Sequence, residues 1–345
     1  MADEREGFVD FHGMKVWYHV AGPLPTADGR PPLLLLHGGP GGTSHCFEPL
    51  DAIADGGRTV VRYDELGSGR SDRPGDTSLY HQDTFVELLA HMRETLGLDR
   101  VHLLGWSWGG MLIMEYFRTR PTGVASVALT SAPPDTAEYV ADVNLQRADL
   151  SRYALAAMRR YEARWSPPEP RAPGPTKPGP TDDVIAKQAR SFQKLARLGA
   201  RPTFQRAVAL LTRVLPKSPM LYTLASIPYV ERHLLRVQPI PLPLAKMVMA
   251  TGGEVYETLW GPSEFIVAGT LTGWSAYDVL PDIDVPTLVT CGRHDMVRPE
   301  RAEATAALIP GSRLVIFEES GHSALFDEPD HYVSVLTDFL DEVDA

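Results

Sequence analysis

The 345-residue chain is poor in cysteine, in basic charge and in long apolar runs. Its two cysteines, Cys46 and Cys291, are too few for a disulfide framework or a multi-cysteine metal site. Lys and Arg number 33 against 44 Asp and Glu, a formal net charge of −11. That balance argues against nucleic acid or an anionic lipid surface as a main partner, since both select faces rich in Lys and Arg. No window approaches the roughly 18 uninterrupted apolar residues of a membrane span. The opening residues, MADEREGFVD, are acidic where a signal peptide starts basic and turns apolar. There is no H-E-x-x-H and no cluster of His and carboxylates at ligand spacing, so neither metal nor cofactor is expected. What remains is a soluble, cytoplasmic, globular protein of one large domain or two moderate ones. Its oligomeric state is left open.

Short apolar runs and glycine-rich turns alternate through the first hundred residues. Val16 to Ala21, Pro32 to Leu36 and Thr59 to Tyr63 read as strands. Phe85, Leu88, Leu89, Met92 and Leu96 fall at helical spacing, with Gly97 as the stop. Val101–Leu104 is a short buried strand, Met111–Phe117 a mostly apolar helix start and Val124–Leu129 another strand. Such alternation favours a mostly parallel sheet with helices on both faces. After Thr130 the pattern becomes helical and richer in Arg; within it Ser166 to Pro180 carries seven prolines and reads as an extended surface loop. The β/α texture returns with Val285–Cys291 as strand, Arg301–Leu308 as helix, Arg313–Phe317 as strand and Asp330–Val343 as helix. A helical cap domain of residues 134–274, with its Pro-rich loop 166–180, is thus inserted into a core made of 1–133 and 275–345.

Gly105-Trp106-Ser107-Trp108-Gly109 fits G-x-S-x-G and sits between a strand and a helix. A sharp turn there lifts a serine oxygen clear of the sheet, and small flanking residues let the backbone pass. The following helix points its positive end at a developing oxyanion. A serine nucleophile needs a base, and the base needs an orienting acid. His322, in the turn Ser320-Gly321-His322-Ser323 after the last strand, has the best position for the base, with His294 as chief rival. Asp295, just past the strand ending at Cys291, is where a carboxylate meets an imidazole from the next loop. The order Ser107, Asp295, His322 is that of an α/β hydrolase. An oxyanion hole wants backbone N–H groups without side chains in the way; the string His37 to Gly42 supplies glycines, and Gly39 and Trp108 are the two expected donors. Neither of the common phosphate-cradling glycine motifs follows a strand. Aspartate at the elbow, as in epoxide hydrolases and dehalogenases, is absent.

His37-Gly38-Gly39-Pro40-Gly41, Tyr63-Asp64-Glu65-Leu66-Gly67-Ser68-Gly69-Arg70-Ser71, the Trp-flanked Ser107 and Gly321-His322 together resemble the proline iminopeptidases, serine aminopeptidases of the α/β-hydrolase superfamily. The resemblance runs the length of the chain and includes Tyr256 to Phe265, YETLWGPSEF. It implies an α/β-hydrolase fold and hydrolysis of an amide beside a free amino terminus. It also implies that Glu264 binds the substrate ammonium. One position departs from the pattern: many members carry a second glutamate after the catalytic aspartate, and here that residue is Met296. Loss of one carboxylate from a desolvated ammonium site costs roughly 2–5 kcal/mol of binding when nothing replaces it. Glu65, where relatives often have glutamine, is the candidate replacement.

Other residues have plainer readings. Trp106, Trp108, Trp260 and Trp274 either line the pocket or fill space, and Trp260 is a substrate-binding candidate. Cys46 reads as a small buried hydrophobe, and Asp64 with Arg70 as a tie across a turn. The expected activity is serine hydrolysis of a small aminoacyl amide or short peptide with a free amine. Two alternatives stand beside it: an amidase or esterase of a specialised small metabolite, favoured by Met296, and a ligand-binding protein that keeps the fold without turnover.

Overall fold

The computed structural model describes residues 4–26, 29–164, 182–199 and 201–345; the Pro-rich loop 166–180 lies outside them. The chain opens as a hairpin of β1 (Glu4–Phe11) and β2 (Met14–Ala21), turned at His12 and Gly13, both at positive φ. That pair of left-handed residues matches the twist of the flanking strands. No strand is expected before Val16 from the sequence. β1 escapes because it is an edge strand on which only Val9 and Phe11 are buried, too short an alternation to read.

β3 (Leu33–Leu36) and β4 (Val60–Tyr63) follow, with a long 3₁₀ stretch, Ser44–Gly56, between them. α1 (Gln82–Thr95) starts at the His81 side chain, which accepts from the Asp83 amide, and ends before Gly97 at φ 67°. β5 (Val101–Trp106), α2 (Trp108–Phe117) and β6 (Val124–Thr130) complete the first half of the sheet. The chain then leaves the sheet for α3 (Thr136–Arg147), α4 (Arg152–Glu162), α5 (Asp182–Gly199), α6 (Pro202–Val214), α7 (Pro219–Tyr229), α8 (Leu242–Ala250) and α9 (Gly253–Leu259). It returns with β7 (Thr287–Gly292), α10 (Pro299–Leu308), β8 (Arg313–Phe317), α11 (Ala324–Asp327) and α12 (Pro329–Asp344).

Among the described residues the eight strands form one sheet in the order β1-β2-β4-β3-β5-β6-β7-β8. The β1–β2 and β2–β4 pairs are antiparallel and the rest parallel. β3 shows why a central strand can read as an unbroken apolar run. Leu34 and Leu36 pack with Phe85 of α1 and Ile113 of α2, while Leu33 and Leu35 pack on the other face with Leu336 and Phe339 of α12. A parallel sheet covered on both faces needs apolar side chains pointing both ways. In such sheets ligands meet the carboxyl ends of the strands; there β3, β5, β7 and β8 deliver the loops carrying Gly39, Ser107, Asp295 and His322.

Candidate active site

Between β5 and α2 Ser107 adopts φ 55°, ψ −116°, a backbone conformation that a residue with a Cβ rarely takes. Its N–H donates to Thr130 O at 2.9 Å and its carbonyl accepts from Gly110 at 2.9 Å and Met111 at 3.2 Å, so the turn is held from both sides. The two motif glycines answer to steric contact rather than torsion. A Cβ on Gly105 would collide with the Gly109 backbone, and one on Gly109 with the Leu36 carbonyl of β3.

Gly38 lies against the elbow; a Cβ there would meet that of Ser107 at 3.4 Å. Gly39 sits at φ 137°, where an added Cβ would approach Gly42 N to 2.6 Å. Among the described residues neither the Gly39 nor the Trp108 amide finds a hydrogen-bond acceptor. Two unclaimed N–H groups beside a strained serine form what a tetrahedral oxyanion requires. His37 anchors this loop: its Nδ1 faces Gly38 O at 2.9 Å and its Nε2 faces Glu65 N at 3.1 Å. The carbonyl can only accept and the amide only donate, so Nδ1 is the donor and Nε2 the acceptor. Beneath the loop, Asp64 accepts from the Ser44 amide and hydroxyl and from the Arg70 guanidinium. Burial opposes its charge, but those Arg70 bonds hold its carboxyl below the usual range.

His322 Nδ1 donates to Asp295 Oδ1 at 2.7 Å, with both groups buried. Asp295 is held in turn by the Val297 amide at 2.8 Å on Oδ1 and the Gly292 amide at 3.5 Å on Oδ2. Burial disfavours the imidazolium, but the charge and hydrogen bond of Asp295, with the charge of Glu264, outweigh it and raise the His322 pKa above 6.5. Trp106, next to Ser107, donates its indole N–H to His322 O at 2.9 Å, with its ring centroid 5.7 Å from the imidazole. Among the described residues the Ser107 hydroxyl makes no hydrogen bond, to His322 or to any other side chain. Such bonds commonly close only in the substrate complex. His294 takes no part in the pair: the residue is partly exposed, and its carbonyl accepts from His233.

Glu264, beyond α9, accepts from Tyr256 Oη at 2.7 Å and Tyr139 Oη at 3.1 Å. Burial raises its pKa, against the pull of the Tyr256 hydroxyl, the charge of His322 and the Tyr139 hydroxyl. Trp260 is buried, its indole given to Ser263 O and its ring edge-on to Tyr139 at 5.2 Å. Met296 is buried beside Asp295 and brings no charge there. Glu65 is 1% exposed, and both its oxygens lie 3.0 Å from the Trp108 indole nitrogen, with no described contact to Glu264. Burial pushes its pKa up, His37 and the Trp108 bond working the other way. The two tyrosines were not singled out from the sequence. Tyr256 stands inside the segment that carries the resemblance, while Tyr139 lies 125 residues from Glu264 with no local signal.

Among the described residues no cluster of three or more His, Cys, Asp or Glu could hold a metal ion, and no helix is long and apolar enough to cross a membrane.

Residues 31–159 match the family model for the alpha/beta hydrolase fold. With the sheet order and the serine elbow, that makes the chain a hydrolase of the α/β-hydrolase superfamily. It is similar to a proline iminopeptidase of Heyndrickxia coagulans, 32% identical over 98% of this chain and 99% of the relative. The solved structure of a proline iminopeptidase from Mycobacterium smegmatis superposes with a TM-score of 0.76 at 29% identity, covering 99% of both chains. That of VinJ does so with a TM-score of 0.78 at 28% identity, over 98% of this chain and 99% of VinJ. The chain belongs to the proline iminopeptidase family.

Proposed function

We propose that this protein is a serine aminopeptidase that cleaves the amide of a small aminoacyl or short peptide substrate with a free amino terminus. The Asp295–His322 bond at 2.7 Å, carried on the loops beside the Ser107 elbow, is the observation on which the reading rests. Ser107 Oγ attacks the carbonyl carbon while His322 Nε2 takes its proton, and Asp295 holds the ring and its positive charge. The Gly39 and Trp108 amides bind the oxyanion. Collapse breaks the C–N bond, and His322 returns the proton to the leaving amine. Water then attacks the acyl-enzyme by the same route and releases the acid.

Glu264, set between two tyrosine hydroxyls, is the group for the substrate ammonium, with Trp260 behind it. Residues 134–274 act as the cap over a catalytic core of 1–133 and 275–345. A cytoplasmic enzyme with no nucleic-acid or membrane partner completes the reading.

A second reading, an amidase or esterase of a neutral metabolite, is favoured by two observations. Met296 is uncharged, and the Glu65 carboxylate is already engaged by Trp108. Turnover of prolyl and other aminoacyl anilides, of their N-acetylated forms and of a simple ester, with Ser107→Ala as blank, tests both. Preference for the free amine supports the aminopeptidase; indifference to it, or preference for blocked substrates, supports the second reading.

A further inference from the structure

Asp295 and His322 come from different strands, and one residue outside the sheet touches both of their loops. Past α7 the chain makes a single wide turn, Val230–Leu234, and His233 lies within it. The His233 carbonyl accepts the His322 backbone N–H at 2.8 Å. The His233 side chain meets the His294 carbonyl, one residue before Asp295, through Nδ1 at 2.8 Å. A carbonyl cannot donate, so Nδ1 carries the proton and this tautomer is fixed by its partner. The His294 peptide is held at its other end too, its N–H donating to Ser320 O at 3.0 Å.

A parallel strap runs beside it. Tyr229 Oη donates to Gln146 Oε1 at 2.8 Å, and Gln146 Nε2 donates to the Asp295 carbonyl at 2.7 Å. The Tyr229 and His233 rings lie 4.7 Å apart. Gly321 shows how tightly this turn approaches: a Cβ there would stand 2.8 Å from the His233 carbonyl oxygen and 3.0 Å from its carbon. The glycine before the candidate base thus answers to the docking of the His233 backbone. On its far side, through Val230, Leu234 and Leu235, the turn walls an apolar cavity of about 420 Å³.

We propose that His233 is a positioning residue, which sets the Asp295–His322 pair from the helical segment by bonding to the acid loop with its ring and to the base loop with its backbone. It touches no reacting atom; it fixes where the imidazole and carboxylate meet. The inference rests on the triad reading above. The titratable and charged groups facing His322 are Asp295 and Glu264, and those facing His233 are Arg232, His294 and Asp295. Burial, the largest influence, lowers the His233 pKa and keeps the ring neutral at pH 7.

His233→Ala and His233→Asn, made alongside Ser107→Ala, test it. An Asn side-chain amide can donate to the His294 carbonyl from nearly the place of Nδ1; alanine cannot. Expected for His233→Ala is a fall in kcat of about tenfold, the order that a sub-ångström displacement of a catalytic group produces, with KM within twofold of wild type. The acid limb of its kcat/KM profile should move to lower pH as the Asp295 bond to His322 loosens. His233→Asn should recover most of kcat and the original limb. A His233→Ala enzyme with wild-type kcat and limb, or an Asn variant as impaired as alanine, overturns the proposal. If Ser107→Ala still turns over substrate, it is the triad reading that has failed. Nitrogen-15 NMR of wild-type His233 decides the matter without any variant: the Nδ1–H tautomer supports the bracket, and Nε2–H overturns it.

Discussion

Glu65 receives the indole N–H of Trp108 on both carboxylate oxygens, each at 3.0 Å, while its own amide donates to His37. One residue therefore ties the two candidate oxyanion donors together, Trp108 directly and the Gly38–Gly39 loop through the imidazole. Burial is the largest influence on the carboxylate and raises its pKa, so its charge opposes folding at neutral pH. Glu65→Gln keeps an acceptor for the indole and removes that charge: kcat is expected within a few-fold of wild type, with equal or higher Tm at pH 7. Glu65→Leu leaves the indole unpaired, and kcat should fall about 10- to 100-fold, with less change in KM. Steady-state kinetics and thermal melts on the two variants check this, and equal kinetics for both would refute it.

The second prediction concerns the triad and its pH dependence. Ser107→Ala and His322→Ala should each cost roughly 10⁴- to 10⁶-fold in kcat, and Asp295→Asn about 10⁴-fold. The proposed base, His322, can work only when neutral, and its pKa is raised. Activity is therefore retained above that pKa and lost as pH falls through it, so the acid limb of kcat/KM should lie above pH 6.5. Glu264→Gln removes one of the charges that raise it, and the limb should move to lower pH. A limb below 6.5 in the wild type would contradict the buried Asp295–His322 pair.

Glu264 supplies the third. Two tyrosine hydroxyls hold the carboxylate at the place proposed for an ammonium group. Glu264→Gln should raise KM for free-amine substrates about 10- to 100-fold, in line with a partly open charge pair, and leave N-acetylated substrates almost unaffected. Because burial raises its pKa, lowering the pH should protonate it before ordinary glutamates and erode the preference for free amines. Equal effects on blocked and free substrates would remove Glu264 from amine recognition.

A fourth prediction separates sterics from chemistry at the elbow. Gly109→Ala places a methyl group on the Leu36 carbonyl, a backbone atom that cannot swing aside. Overpacking of this kind costs about 1–3 kcal/mol or more, so the variant should melt several degrees lower or fail to fold. Gly56→Ala, where nothing lies within 4 Å of the added carbon, is the control and should melt as the wild type does. A Gly109→Ala protein with unchanged Tm would mean that the β3–α2 approach relaxes freely.

The elbow, the glycine loop and the order of strands and helices were legible because each depends on neighbours in the chain. A strand–Gly-x-Ser-x-Gly–helix run carries its own geometry, and the unbroken apolar run at Leu33–Leu36 announces a strand covered on both faces. β1 was illegible because its edge position buries only two side chains.

The pairings across the site were a different matter. Trp106 and His322 are 216 residues apart, Tyr139 and Glu264 125, and Glu65 and Trp108 43. No periodicity or local steric rule relates such residues. The sequence by itself determined which chemistry each loop offers, since a serine at a strained turn, a glycine with a bare N–H and a buried histidine each bring their own reactivity. Only the tertiary structure decided that Glu65 would hold Trp108 and that the turn bearing His233 would bond to both the Asp295 and the His322 loop. The physical reason is that a hydrogen bond between distant side chains forms only where packing of the whole sheet and its helices brings a donor within about 3 Å of an acceptor.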